Sequence, residues 1–170
     1  RSTSRLHPKM KSYIIGAKNT QTIIDLEKTY DMLIKAKEFF QNSLKEHKII
    51  LFVNINPATN DITLEAAQKT NNPYVINRWV GGFLTNFSEI SKRIKYYNEL
   101  IQKNVSGELE KYTKKEQLKF KKELEDLADL FSGVKDLSKL PDAIFVIGAR
   151  FHETAIKEAQ KMHIPIIALA

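Results

Sequence analysis

Three short apolar runs constrain the fold of this chain more than any other feature of its sequence. They are KIILFVN at residues 48–54, AIFVIG at 143–148 and IPIIALA at 164–170. Runs of strand length that are apolar throughout are typical of strands buried on both faces of a sheet. The last two flank HETAIKEAQKM, in which Ala155, Ile156 and Ala159 share one helical face. A strand, a helix and a strand in this order predict a right-handed crossover between parallel strands.

The segments before residue 77 carry further helix and strand patterns. Apolar residues at steps of three and four predict a helix over residues 29–46. NPATNDI at 56–62 is typical of a turn, and a helix capped by Asp61 or Thr63 should follow it. NPYVI at 72–76 predicts a shorter strand. Together with the crossover unit, these elements predict a three-layer α/β fold with a parallel sheet.

A heptad pattern distinguishes residues 87–131 from the rest of the chain. Apolar residues step alternately by three and four, which is the spacing of a coiled-coil seam. SGELEKY interrupts the pattern, and Thr113 with Glu116 then forms a capping-box signature before a second seam. The pattern predicts an antiparallel coiled-coil helical hairpin, 87–131, inserted in a core of residues 1–86 and 132–170. The alternative is two ordinary surface helices packed on that core. The predicted seam residues are Phe87, Ile90, Ile94, Tyr97, Ile101, Phe120, Leu124, Leu127 and Phe131.

Charge and composition limit the classes of partner. Lysine and arginine outnumber aspartate and glutamate by 27 to 20, which gives a net charge of +7. This surplus favours an anionic partner, most commonly nucleic acid, although many small basic proteins bind none. The chain has no cysteine, so disulfides, thiolate metal sites and cysteine nucleophiles are excluded. No apolar run approaches the roughly 20 residues of a membrane span, so no membrane partner is expected.

The stretch NRWVGGFLTN, residues 77–86, allows three interpretations of its paired glycines. They could form a phosphate cradle, a tight backbone corner or a strip of chain against nucleic acid. A Walker loop needs a second glycine at a fixed spacing and then lysine, whereas Phe83 and Leu84 follow here. A dinucleotide fingerprint needs a glycine triplet after a buried strand, and Gly148 alone follows AIFVI. Neither nucleotide motif is present, and no cofactor is expected.

The titratable residues form no catalytic or metal-binding pattern. His7, His47, His152 and His163 lack partners at ligand spacing, so each is interpreted as a surface or loop residue. Neighbouring carboxylates arise by chance in a chain this rich in charge and receive no acid–base role. The sequence therefore predicts no catalytic residue, no metal site and no small-molecule substrate, and the chain is not expected to be an enzyme.

Six segments, in the same order, are similar to those of one known family. They are HPKMKSYIIGAKN, IIDLEKT, YVINRWVGGFLTN, YTKKE, LPDAIFVIG and AIKEAQKMHIPIIALA. Any one of them is weak, whereas six collinear segments are highly specific. Over nearly its whole length the chain resembles the bacterial-type small-subunit ribosomal protein S2 family. The family's opening segment and its last strand and helices lie outside the sequence, which is therefore expected to be a fragment or partly ordered product of a longer protein.

The resemblance implies a flavodoxin-like α/β domain with a protruding coiled-coil hairpin, in agreement with the patterns above. It implies a structural constituent of the small ribosomal subunit that binds small-subunit rRNA and other small-subunit ribosomal proteins. In bacteria, one such neighbour is the large messenger-binding protein of the subunit. Asn77 and Gly148 depart from the histidine and aspartate that are usual in the family. Neither change touches a catalytic role, because the family has none.

The resemblance also implies that NRWVGGFLTN follows a strand and forms the turn that leads into the hairpin. Gly81 and Gly82 then allow a turn that other residues would make only with strain. Trp79 is expected to pack rather than to stack on a base, while Arg78 either contacts a phosphate or supports the turn.

The basic residues gather into three patches, and ribosomal proteins of this kind hold RNA through its phosphates and its shape. The first patch lies near the start of the chain, the second in the turn and first hairpin helix, and the third at the start of the second. The candidate RNA-binding residues are Arg5, Lys9, Lys11 and Lys18; Arg78, Lys92, Arg93 and Lys95; and Lys114, Lys115, Lys119 and Lys122.

Two other functional classes remain open at this point. One is a nucleotide-binding α/β enzyme of flavodoxin-like fold, with its ligand at the strand ends. The other is a free-standing regulatory module built on the hairpin. Usage rich in lysine, asparagine and isoleucine favours a mitochondrial ribosome, with plastid or bacterial cytoplasm as the alternatives.

Overall fold

The computed structural model describes residues 8–19 and 21–169, apart from the side chain of Lys9. The chain divides into two compact units, Arg1–Glu46 and His47–Ala170. The predicted division into a core of residues 1–86 and 132–170 and a hairpin of 87–131 stays a prediction.

The first unit begins with a 3-10 turn, Pro8–Tyr13, and a pair of antiparallel strands. β1 (Ile14–Lys18) and β2 (Gln21–Ile24) are joined by a turn in which Asn19 has a φ of 50°. Asparagine tolerates this left-handed conformation better than most residues do. Residues 14–19 and 21–24 therefore form a β-hairpin, which the sequence patterns did not predict.

α1 (Leu26–Lys45) follows this β-hairpin. The Asp25 carboxylate caps the helix by accepting hydrogen bonds from the amides of Glu27 and Lys28, 3.1 and 3.3 Å away. Because Asp25 is the cap, the helix begins earlier than the predicted residue 29. On its predicted apolar face, Ala36, Phe39 and Phe40 are half-buried, and Met32, Leu33 and Leu44 are exposed.

The second unit is built on a parallel sheet, which confirms the predicted fold class. Among the described residues this sheet has four strands in the order β4-β3-β5-β6. They are β3 (Ile50–Val53), β4 (Tyr74–Val75), β5 (Ala143–Ile147) and β6 (Ile166–Leu169). Every residue of β3 is buried, as expected for a strand covered on both faces.

β6 differs from the prediction of a third strand buried on both faces. Its first two residues are half-buried and its last two are exposed, because β6 is an edge strand of the described sheet. In β5 the burial alternates, since Ile144 and Val146 are fully buried while Phe145 and Ile147 are not. Within the three apolar runs, whose strands are predicted to be buried on both faces, Phe52 and Val53 are buried, and Phe145, Ile147, Ile166 and Ile167 are half-buried.

Four α-helices accompany this sheet among the described residues: α2 (Pro57–Lys69), α3 (Phe87–Val105), α4 (Lys114–Phe131) and α5 (Glu153–Lys161). The segment 56–62, predicted as a turn, is instead the start of α2. The Asn56 side chain accepts a hydrogen bond from the Ala58 amide at 3.1 Å, and Pro57 occupies the first helical position. Proline fits there because that amide has no helical partner in any case.

The hydrophobic core joins the sheet to the helices. Ile90, Ile94 and Tyr97 of α3 and Phe131 of α4 belong to the same buried cluster as the strand residues of β3 and β5. The remaining predicted seam residues are half-buried, and Leu100, which the heptad pattern omitted, is buried. α3 and α4 contact each other, but their inward residues also pack on the sheet. The coiled-coil character of the hairpin therefore stays a prediction.

One glycine makes an unusually close approach to the sheet. Gly133 lies in a 3-10 turn, Ser132–Val134, directly after α4. A Cβ on this residue would lie 2.2 Å from the Tyr74 carbonyl oxygen and 2.5 Å from a carbon of the Tyr74 ring. Only glycine therefore lets this turn pack against β4.

Candidate nucleic-acid interface

The turn that leads into α3 takes its shape from Gly82. Gly82 has a φ of +83°, which glycine adopts without strain, whereas Gly81 has no such requirement. The Phe83 amide donates to the Val80 carbonyl at 3.1 Å, and the Asn86 amide donates to the Gly82 carbonyl at 2.8 Å. The chain therefore coils directly from a tight backbone corner into the helix.

A single buried carboxylate holds this turn. Glu158 of α5 is 8% exposed, and its Oε1 accepts hydrogen bonds from the Gly82 amide at 2.8 Å and the Trp79 indole at 3.1 Å. Its Oε2 accepts from the amides of Leu84 at 2.9 Å and Thr85 at 3.4 Å. Burial of a carboxylate is costly unless donors of this kind surround it. The glycine stretch thus forms an anion cradle, whose occupant is the protein's own side chain.

Three aromatic rings connect this turn to the first residue of α3. The ring centroids of Trp79 and Phe83 lie 5.0 Å apart, and those of Phe83 and Phe87 lie 6.5 Å apart in an edge-to-face arrangement. Trp79 packs inside the protein, as predicted. Asn86, at the N-cap of α3, makes no capping hydrogen bond through its side chain. The start of α3 is therefore held by the turn rather than by a cap.

The second predicted basic patch lies on the exposed side of α3. Lys92, Arg93 and Lys95 are exposed and alternate with the buried seam residues, and Arg78 in the turn is exposed too. Lys92 lies 2.7 Å from the Glu89 carboxylate, but both side chains are solvent-accessible and such pairs contribute little. Within residues 8–19 and 21–169, no ion pair involves Arg93 or Lys95. Their charges are available to an external anion.

The third predicted patch lies where a helix least favours cations. Lys114 and Lys115 are the first two residues of α4, at the positive end of the helix dipole. The last turn of α4 has no basic residue and carries Asp129, which is also unfavourable. The negative charge of Glu116, in the same first turn, partly offsets these positive charges. Its carboxylate accepts hydrogen bonds from the Thr113 hydroxyl at 2.7 Å and the Thr113 amide at 3.0 Å, and these bonds lower the pKa of Glu116. Helix stability therefore does not explain the order of charges along α4.

A hydrogen bond between the two helices fixes their register. The Tyr96 hydroxyl donates to the Glu123 carboxylate at 3.1 Å. Burial, and then this bond to Glu123, raises the pKa of Tyr96. At ~1.5 Å per residue, Lys92 lies about 6 Å from this point towards the start of α3, and Lys114 lies about 14 Å away towards the opposite end of the hairpin. The second and third patches thus span roughly 20 Å along the helix axes. Their exposed residues, which include Lys119 and Lys122, are called the basic strip below.

The first predicted patch is described in part. Lys11 and Lys18 are exposed. Arg5 and the side chain of Lys9 lie outside the described residues, so the structure places neither of them.

The carboxyl ends of β3 and β5 form the crevice where open α/β sheets bind nucleotides, because the chain leaves these two strands in opposite directions. Two buried polar side chains lie at this crevice. Asn54 is buried and donates hydrogen bonds of 2.8 Å to the hydroxyls of Thr59 and Thr63. His152 lies in a loop, as predicted, but it is buried rather than exposed, and its Nε2 accepts from the Ile55 amide at 3.3 Å. Burial lowers the pKa of His152, so the neutral imidazole is favoured.

A groove of about 760 Å³ lies at the other end of the sheet. It is lined by residues that precede the strands, such as Ile49 and Pro73, and by the turn around Gly133. This is the end of the sheet opposite to the one that nucleotide enzymes of this fold class use. In the part of the chain that the structure describes, no cluster of histidine and carboxylate side chains could hold a metal ion. No helix in that part combines the length and apolar character needed to cross a membrane.

Glu158 is the residue that the sequence analysis missed. It falls between Ala155 and Ala159 on the inward stripe of α5. A buried glutamate destabilises the fold unless its carboxylate is paired or hydrogen-bonded. Its position on the apolar face of α5 was therefore a signal, present in the sequence, that Glu158 has partners. Its partners could not be identified from the sequence, because they are four donors between 73 and 79 residues away.

Comparisons with known proteins agree on one family. A family model described as Ribosomal protein S2 matches residues 1–170. The chain is 44% identical to the small ribosomal subunit protein uS2 of Coprothermobacter proteolyticus over 98% of its own length and 62% of that protein. Proteins of the same name from Hahella chejuensis and Marinobacter nauticus are 42% and 40% identical, over 96% of this chain and 64% and 65% of theirs. The chain thus spans slightly less than two thirds of these bacterial relatives.

Proposed function

The chain belongs to the ribosomal protein S2 family, and on this premise we propose that it is a structural, non-enzymatic constituent of a small ribosomal subunit. The match of the family model to residues 1–170 carries the proposal. The partners are small-subunit rRNA and neighbouring ribosomal proteins. A nucleotide-binding enzyme is not favoured, because side chains occupy the crevice between β3 and β5.

The basic strip on α3 and α4 is the proposed RNA contact of the second unit. Lysine suits this role because it offers a mobile point charge to phosphates without selecting a base sequence. The lysines at the start of α4 support this assignment, since they oppose the helix dipole and an external anion would offset that cost. The proposed contacts are Arg78, Lys92, Arg93, Lys95, Lys114, Lys115, Lys119 and Lys122 in this unit, with Arg5, Lys9, Lys11 and Lys18 in the first.

The type of ribosome is a separate question. The relatives named above are bacterial, so the mitochondrial ribosome favoured by residue usage gains no support from them. Sequencing the rRNA that co-purifies with the protein from its native source identifies the compartment.

A triple substitution tests the RNA contact. Changing Lys92, Arg93 and Lys95 together to glutamine removes three exposed charges while the buried face of α3 stays intact. Affinity for small subunits should fall, and the slope of log affinity against log salt should flatten by up to about three, since each phosphate contact contributes about one. Co-sedimentation with small subunits that lack this protein, across a salt series, measures both quantities.

The matched control is the triple change of Lys35, Lys37 and Lys157 to glutamine. These residues are exposed and lie outside the predicted patches, and Lys157 pairs with Glu153 at 2.8 Å much as Lys92 pairs with Glu89. The control should leave the slope nearly unchanged. If both triples behave alike, charge acts as a diffuse field and the site assignment is wrong, whereas the ribosomal function stands. If the unchanged protein does not sediment with small subunits, the proposed function itself is wrong.

A further inference from the structure

We propose that Glu158 is a positioning residue, and that the turn at residues 79–85 is a carboxylate receptor through which Glu158 directs the basic face of α3 towards RNA. This inference rests on the proposed ribosomal function for its RNA readout, while the receptor itself is defined by geometry alone.

The receptor uses both oxygens of the carboxylate. Oε1 accepts from the Gly82 amide and the Trp79 indole, and Oε2 accepts from the amides of Leu84 and Thr85, over 2.8 to 3.4 Å. Among the described residues, no ion pair involves Glu158, so dipoles rather than a cation balance its charge. Hydrogen bonds to an ionised acceptor are about twice as strong as neutral ones, and they are directional. The carboxylate therefore fixes the orientation of the turn as well as its position.

The orientation of the turn passes directly to α3. Leu84 and Thr85 precede the N-cap Asn86, which contributes no capping bond of its own, and Phe87 continues the ring contact from Phe83. Buried residues such as Ile90 hold α3 on the core, but apolar contacts are non-directional and control distance more than angle. α3 has 19 residues and is thus about 28 Å long. A change of about 10° at its start would move Lys95, about 12 Å along the helix, by about 2 Å, which exceeds the range of roughly 0.5 Å over which a hydrogen bond to phosphate is well formed.

Amide exchange tests the receptor independently of RNA. Glu158→Gln preserves the volume of the side chain but presents an N–H₂ group to donors that need an acceptor. The amides of Gly82 and Leu84 should be protected from hydrogen exchange in the unchanged protein and at least about tenfold less protected in this variant, which corresponds to about 1.4 kcal/mol. Equal protection in both proteins would show that the receptor does not exist.

Binding to small subunits separates positioning from plain stabilisation. Ile156→Ala is the matched control, because Ile156 is half-buried on the same helix and makes no hydrogen bond to the turn. Urea is used to bring both variants to equal stability before binding is compared. Glu158→Gln should then bind about tenfold more weakly than Ile156→Ala, with a salt slope altered as in the triple variant of α3. Equal binding would reduce Glu158 to a structural role and overturn the proposal.

Chemical rescue supplies a readout that a structural role would not give. Glu158→Ala removes one methylene and the carboxylate, and acetate has the atoms to replace them. Sodium acetate should restore subunit binding by Glu158→Ala, whereas equal sodium chloride should not, and Ile156→Ala should respond to neither. Failure of acetate to restore binding in a folded Glu158→Ala protein would contradict the proposal. If the unchanged protein does not bind subunits, the ribosomal function and the RNA role of Glu158 fail together, and amide exchange still decides the receptor.

Discussion

Replacing Gly133 by alanine is expected to destabilise the second unit strongly. The new Cβ would lie 2.2 Å from the Tyr74 carbonyl oxygen, whereas carbon–oxygen contacts in proteins are usually roughly 3.3 Å or longer, so about 1 Å must be gained by movement. The obstacle is main chain that is already engaged. On either side of Tyr74, the carbonyls of Pro73 and Val75 accept hydrogen bonds of 2.9 Å from the amides of Phe52 in β3 and of Asn54 directly after it.

The cost follows from these contacts. Overpacking costs about 1–3 kcal/mol, and weakening one buried ladder bond costs about 1 kcal/mol more, so a loss of about 3 kcal/mol is expected. For a chain of this size, that loss corresponds to a Tm lowered by roughly 6–12 °C. Thermal unfolding followed by circular dichroism, together with a urea titration, measures both quantities.

Gly81→Ala is the control for this substitution. Its Cβ would meet nothing within 4 Å, and its φ lies outside the left-handed region. The change in unfolding free energy should stay within about 0.5 kcal/mol. If Gly133→Ala loses less than about 1 kcal/mol, or if the two variants are equally stable, then the close approach of the Gly133 turn to β4 is not real.

Two further predictions concern pH and the charges of α4. Burial lowers the pKa of His152 in the folded protein below its ordinary value of 6.5. As the pH falls, His152 is therefore protonated in the unfolded chain before it is protonated in the folded protein, so the free energy of unfolding decreases as the pH falls from above 6.5 towards the folded-state pKa. Urea unfolding at about pH 7.5 and about pH 5.5 should show this loss, and His152→Gln should reduce it; an equal loss in the variant would refute the assignment. Changing both Lys114 and Lys115 to glutamine should raise stability by about 0.3–1 kcal/mol each, yet weaken binding to small subunits. Lower stability, or unchanged binding, would contradict the view that these lysines serve an external anion.

Much of the sheet could be predicted from the sequence, because each strand leaves a signal in its own residues. The run at 48–54 is apolar throughout, and β3 is buried at every position. Alternation in β5 was harder to see, since Phe145 and Ile147 are as apolar as their buried neighbours. The half-burial of Phe145 depends on which residues cover each face, and no local pattern contains that information.

Errors arose where a local motif has two interpretations or where partners are distant. Asn56 and Pro57 suit a turn as well as a helix start, and only the packing of α2 decides between them. The candidate basic residues could be chosen from sequence because lysines are usually exposed, but which of them bind RNA is not encoded locally. Glu158 could be recognised only as an anomaly on the inward face of α5.

The cradle around Glu158 also has a consequence for the order of events during synthesis. Translation completes the turn, α3 and α4 before residue 158 exists, since the donors precede their acceptor by 73 to 79 residues. Contacts across such separations form late, because a long loop must close first. A nascent chain interrupted before α5 therefore carries every lysine of the basic strip but lacks the Glu158 carboxylate that holds the turn before α3. If Glu158 positions α3 as proposed, the turn before α3 gains this restraint only after α5 has been synthesised and has packed on the sheet.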